Sequence, residues 1–148
     1  MSKELIFVLG GARSGKSTYA ELLAKERGES VLYVATAQAR DDEMTQRIAV
    51  HKGERPSHWR TLDAAQDVGE AIHAVLGEGD RPDVILVDCL TMLANRVILA
   101  LPEPIEQPEA DAVLREEVNG LLTAFNKSNA TWIVVSNEVG LGIVPAYP

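Results

Sequence analysis

Apolar residues occur in short runs separated by polar stretches rich in glycine or proline, and the runs follow two different periods. Leu5-Ile6-Phe7-Val8-Leu9 is a continuous apolar run, the pattern of a strand buried on both faces. A glycine-rich turn from Gly10 to Gly15 follows it. A helix is predicted over residues 16–27, with Ala20, Leu23 and Ala24 as its apolar stripe and Gly28 as its stop. Val31-Leu32-Tyr33-Val34-Ala35 reads as a second buried strand. Asp41-Asp42-Glu43 opens a predicted helix over residues 41–50, where acidic residues complement the helix dipole. Gly53 and Pro56 interrupt the chain, and residues 59–62 form a short strand. A helix over 64–76 ends at Gly77-Glu78-Gly79. Asp83-Val84-Ile85-Leu86-Val87-Asp88 is the third clear strand, followed by a helix over 91–99. The proline-rich stretch 102–108 is a loop, and a helix over 109–126 leads into a last strand over 131–135. Strands alternating with helices predict an α/β fold, a mainly parallel sheet with helices on both faces, in a single domain over residues 1–148.

Charge narrows the range of partners. The formal charge is −8, but residues 1–60 carry ten Lys/Arg against eight Asp/Glu, whereas residues 61–148 carry four against fourteen. A chain with no broad basic surface is a poor match for nucleic acid, and its positive charge lies in the first third, suited to a small phosphorylated ligand. No apolar run is long enough to span a bilayer, Met1-Ser2-Lys3-Glu4 has no signal-peptide pattern, and the single Cys89 excludes an intramolecular disulfide. These features together lead us to expect a cytoplasmic protein.

The chemistry is concentrated in the first turn. Gly10-Gly11-Ala12-Arg13-Ser14-Gly15-Lys16-Ser17 matches G-x-x-x-x-G-K-[ST], after a strand and at the start of a helix, as a phosphate-binding loop requires. Glycines let backbone N–H groups turn inward onto phosphate oxygens, and the helix N-terminus adds partial positive charge. Lys16 is placed for the β- and γ-phosphates of a nucleoside triphosphate and Ser17 for Mg²⁺. Arg13 either touches phosphate or is solvated. Asp88, ending an apolar strand, supplies a carboxylate for Mg²⁺, the alternative being a cap on the helix that follows. Cys89 and Trp132 read as core residues and His73 as a helix-surface residue.

The loop alone specifies nucleotide binding and no reaction. The wider sequence resembles the bifunctional adenosylcobinamide kinase/adenosylcobinamide-phosphate guanylyltransferase family. Beyond the phosphate loop, the resemblance rests on Tyr33-Val34-Ala35-Thr36-Ala37, Asp41-Asp42-Glu43-Met44, Arg47-Ile48, His51-Lys52, Arg55-Pro56 and His58-Trp59-Arg60-Thr61. Asn137-Glu138-Val139-Gly140-Leu141-Gly142-Ile143-Val144-Pro145 follows in the family's order. The resemblance implies a P-loop NTPase fold of the recombinase-ATPase kind, ATP and GTP as substrates, and a trimeric assembly. It implies phosphorylation of adenosylcobinamide, then transfer of GMP to adenosylcobinamide phosphate through a guanylyl-histidine. His51 is the implied nucleophile, with Lys52 and Arg55 neutralising phosphate charge. Some members carry two adjacent histidines where this chain has Val50-His51, so one candidate remains, with His58 in reserve; the plain reading of His51 is a polar residue at a helix end. Ala35, Thr36 and Ala37 are implied to pass near the nucleotide, and Asp63 to contact it, the alternative for Asp63 being a helix cap. The family continues for a helix and a strand beyond its Gly-Ile-Val-Pro segment, so a chain ending at Pro148 is expected to lack an edge strand and a covering helix. Two other readings remain open: a plain P-loop small-molecule kinase, and a nucleotide-dependent ATPase or switch module.

Overall fold

The computed structural model describes residues 3–10, 15–36, 56, 58–64 and 66–137. Its elements in chain order are β1 (Leu5–Gly10), α1 (Lys16–Arg27), β2 (Val31–Ala35), β3 (Arg60–Asp63), α2 (Val68–Gly77), β4 (Val84–Asp88), α3 (Leu90–Leu99), α4 (Gln107–Lys127) and β5 (Thr131–Asn137). The strands form one sheet in the order β1-β5-β4-β2-β3, and every ladder is parallel. The expected helix over 41–50 lies outside the described residues.

Strand alternation divides the interior into two cores. Val84 and Leu86 of β4 face one side, with Tyr33, Ile133 and Val135, under Ala20 and Ala24 of α1. Ile85 and Val87 face the other, with Leu32, Val34 and Trp132, under residues of α2, α3 and α4. Helices on both faces are what an all-parallel sheet requires, because its central strands expose no polar face to water. Trp132 is buried, donates its indole N–H to Ser128 Oγ at 2.9 Å, and meets Phe125 edge-on with ring centroids 5.8 Å apart.

Three local expectations are corrected, and one, Gly28 as the stop of α1, holds for a reason the sequence does not show. Among the described residues β1 is an edge strand rather than one buried on both faces: Phe7 and Leu9 are 55% and 58% exposed, whereas Val8 is buried. With Val118 and Leu122 of α4, the outward side of β1 forms an apolar groove. Gly28 ends α1 in an extended conformation (φ 174°), and glycine is required there by space: a Cβ would lie 2.3 Å from Asp83 Cβ. α4 begins at Gln107, so Pro108 sits in the first helical turn, where its missing N–H costs no hydrogen bond.

The third correction concerns α2, which starts at Val68 rather than near residue 64 because its N-terminus is capped from another helix. The Glu117 carboxylate of α4 accepts Asp67 N–H at 2.9 Å and Val68 N–H at 2.8 Å. Asp67 itself takes the left-handed conformation (φ 50°), which Asp tolerates better than most residues. One turn on, the two helices come into backbone contact: a Cβ on Gly69 would lie 2.2 Å from Gly120 O. Gly69→Ala is therefore expected to destabilise the fold by about 3 kcal/mol through overpacking, read as a lower denaturant midpoint. An unchanged midpoint would mean that α2 and α4 can separate without cost.

Candidate functional site

The chemistry-bearing residues gather at the carboxyl ends of the strands, the usual ligand-binding edge of an open parallel sheet. Gly10 ends β1 and pairs in register with Asn137, the last residue of β5. Asp88 ends β4, opposite Val135 of β5 and Ala35 of β2. Asp63 ends β3, opposite Ala35 and exposed at the sheet's edge. The phosphate loop leaves β1 there and enters α1 at Gly15, whose left-handed φ of +83° demands glycine although nothing within 4 Å would crowd a Cβ. Gly15 carbonyl accepts the first helical bond, from Tyr19 N–H at 3.0 Å, which leaves Lys16 and Ser17 in the opening turn.

Ser17 and Asp88, 71 residues apart in sequence, meet in this crevice. Ser17 Oγ donates to Asp88 Oδ2 at 3.2 Å in a half-buried setting. The same oxygen accepts the Tyr33 phenol at 2.5 Å. α3 begins beyond Cys89 with no side-chain cap, so Asp88 serves the crevice and not the helix start. The backbone after Asp88 is held to β2: Thr36 N–H donates to Asp88 O at 3.1 Å. Thr36 Oγ1 both donates to Cys89 O at 2.7 Å and accepts Cys89 N–H at 2.8 Å. Thr36 is buried, and its hydroxyl is occupied in clasping β2 to β4. Thr91 Oγ1 lies 3.0 Å from Ser136 Oγ, tying the start of α3 to the end of β5.

This donor set fits Mg²⁺. A hydroxyl and a carboxylate are hard oxygen donors, and Mg²⁺ commonly takes only one or two protein ligands, completing its shell with water and phosphate oxygens. Among the described residues no group of three or more His, Cys, Asp or Glu could hold a metal ion.

The remaining predicted positions divide clearly. Gly11, Ala12, Arg13, Ser14, Ala37, His51, Lys52 and Arg55 lie outside the described residues. Asp63 does not cap a helix, since α2 starts five residues later. His58 is exposed, with ring Nε2 3.0 Å from Glu29 O, just ahead of β2. That places it at the amino end of the strands, about 16 Å of strand from the crevice at 3.3 Å per residue. His73 is exposed on α2, and Cys89 is buried, as expected. Arg60, which opens β3, is held further in its charged form by its hydrogen bond to Glu78 at 3.0 Å, with Asp80 assisting at 3.4 Å; this is surface electrostatics away from the site. Sequence reasoning assigned Tyr33 no role. The signal available was a phenol in an aliphatic buried strand, since a buried hydroxyl needs a partner.

No helix among the described residues is long and apolar enough to cross a membrane. The fold is similar to the KaiC-like protein PH0186 from the hyperthermophilic archaeon Pyrococcus horikoshii OT3, with a TM-score of 0.59 at 20% identity over 93% of this chain; the chain spans 62% of that structure. That likeness bears out the fold class, a mainly parallel sheet with helices on both faces, shared with a KaiC-like protein. Closer relatives in sequence are the bifunctional adenosylcobalamin biosynthesis proteins CobU of Escherichia coli (strain K12), 38% identical, and CobU of Salmonella typhimurium (strain LT2), 40% identical. Each match covers 95% of this chain and 78% of the relative. CobP of Pseudomonas aeruginosa (strain PAO1) is 43% identical over 93% of this chain and 73% of its own length. The family model described as cobinamide kinase/cobinamide phosphate guanyltransferase matches residues 6–148. The chain therefore belongs to the cobinamide kinase/cobinamide phosphate guanyltransferase family, whose members are transferases acting in cobalamin biosynthesis.

Proposed function

We propose that the crevice at the carboxyl edge binds nucleoside triphosphate and that the protein performs both family reactions, on adenosylcobinamide and then on adenosylcobinamide phosphate. The observation that carries this reading is the Ser17–Asp88 pair at the mouth of the phosphate loop, in a chain of this family. In the kinase step, the aminopropanol oxygen attacks the γ-phosphorus of ATP, the bond to the β-phosphate oxygen breaks, and the hydroxyl proton leaves to solvent or a base. Lys16, with the N–H groups of the loop from Gly10 to Gly15, neutralises charge on the phosphoryl oxygens as it develops. Ser17 and Asp88 are the residues that would hold Mg²⁺, which on binding screens the β- and γ-phosphate charge.

In the second reaction, an imidazole nitrogen of His51 attacks the α-phosphorus of GTP and pyrophosphate departs. The phosphate of adenosylcobinamide phosphate then attacks the same phosphorus, the P–N bond breaks, and adenosylcobinamide-GDP forms. Lys52 and Arg55 neutralise the phosphates during transfer, and Ala35, Thr36, Ala37 and Asp63 lie along the nucleotide. Thr36 lies there with its hydroxyl occupied by Cys89 and its N–H by Asp88 O. The same reading takes residues 1–148 as one cytoplasmic domain, from its length and composition, that assembles as a homotrimer on the strength of the family resemblance.

Incubation with GTP and Mg²⁺ followed by intact-mass measurement tests the proposal. One added GMP that maps to His51 is the expected result. No adduct on protein that still binds GTP would favour a plain P-loop kinase, and GTP hydrolysis without transfer to cobinamide would favour an ATPase or switch module.

A further inference from the structure

Tyr33 stands in the middle of β2 and is only 4% exposed, packed in the core beneath α1. Ala35, two residues further along the same face, is the register partner of Asp88. Tyr33 is thus the diagonal cross-strand neighbour of Asp88, a separation an aromatic side chain can bridge. Its hydroxyl donates to Asp88 Oδ2 at 2.5 Å, the oxygen that also takes the Ser17 proton at 3.2 Å. Two hydroxyls, one from β2 and one from the first turn of α1, therefore converge on one carboxylate oxygen at the end of β4.

A serine hydroxyl has one proton and two lone pairs. It can approach a cation only with its lone pairs, so its proton must have an acceptor on the other side. Asp88 Oδ2 is that acceptor, and it performs this task only while the carboxylate keeps its rotation about Cβ–Cγ. The Ser17 bond is the longer of the two and belongs to a residue at a loop–helix junction. The phenol bond is short, charge-assisted and anchored on a buried ring whose position the sheet determines. We propose that Tyr33 is the positioning residue of the metal-binding half of the site. Its phenol holds the Asp88 carboxylate in the rotamer that receives the Ser17 proton, and so turns the Ser17 lone pairs toward the cation of the bound nucleotide. This inference rests on the reading above, in which Ser17 and Asp88 serve a nucleotide-bound Mg²⁺.

The test uses Mn²⁺ in place of Mg²⁺ and measures free Mn²⁺ by electron paramagnetic resonance as it is titrated into protein with GTP. GTP binding in EDTA is measured separately by equilibrium dialysis. Tyr33→Phe removes one oxygen and keeps the ring. It is expected to weaken Mn²⁺ binding to the protein–GTP complex about tenfold, the effect of losing a hydrogen bond to a charged group, with metal-free GTP binding changed less than about twofold. In the Asp88→Asn background the same change is expected to add little, because the two residues act as a unit. Equal losses with and without metal in Tyr33→Phe would mean that the phenol supports only the core, and would overturn the proposal. So would an Mn²⁺ titration that superimposes on the wild type while Asp88→Asn shifts it. If Asp88→Asn leaves the titration unchanged, the metal role of Asp88 fails, and the Tyr33 inference falls with it.

Discussion

Lys16→Ala is expected to lower kcat/KM of the kinase reaction by about two to three orders of magnitude, the loss usual when a group stabilising transition-state charge is removed. Gly15 takes a left-handed backbone that only glycine adopts at little cost, and it delivers Lys16 into the first turn of α1, at the carboxyl edge of β1, β5 and β4. Lys16 thus opens α1 beside Ser17, at the end of the helix where the dipole favours phosphate. Arginine is not expected to restore the rate, because its wider planar head does not occupy the place of a compact ammonium ion. Steady-state kinetics with ATP and adenosylcobinamide check this. An unchanged kcat/KM would remove Lys16 from the phosphate site, while a raised KM with kcat intact would reduce its role to ground-state binding.

His51→Ala is expected to abolish the covalent GMP adduct and to lower guanylyl transfer by a factor on the order of 10³ or more, because no other group takes over a lost nucleophile. The kinase reaction should retain most of its rate, since its chemistry needs no covalent intermediate. His51 lies outside the described residues, so the structure bears on this prediction through the alternative. His58 sits beside Glu29 at the amino end of β2, remote from Ser17 and Asp88. His58→Ala should therefore leave the adduct in place. Mass spectrometry of GTP-treated variants separates the possibilities, and an adduct that survives His51→Ala would place the nucleophile at neither histidine if it also survives His58→Ala.

Tertiary structure changed the reading wherever a residue's role depends on a partner distant in sequence. Ser17 and Asp88 were each singled out, but their hydrogen bond, and the Tyr33 phenol that shares the same oxygen, follow from strand order β1-β5-β4-β2-β3. Glu117 of α4 caps α2 and moves that helix's start to Val68, a partnership no local pattern announces. Gly28 looked like an ordinary helix stop, and its actual constraint is the Asp83 side chain 55 residues away in sequence.

The sequence by itself determined the phosphate loop, the boundaries of α1 and β2, the alternation of strands with helices, and the family. Each of these is written in contiguous residues or in fixed spacings: a glycine where φ must be positive, a lysine and serine one and two places later, an apolar run of strand length. Only the tertiary structure decided that β1 lies at the edge of the described sheet with Phe7 and Leu9 exposed, and that Asp88 answers to Ser17 and Tyr33 rather than to α3. It also decided that His58 stands at the amino end of the strands, opposite the edge where Ser17 and Asp88 meet. The physical reason is that an apolar run records that a segment must be buried, whereas its neighbours are chosen by the packing of the whole sheet, which leaves no local trace in the chain.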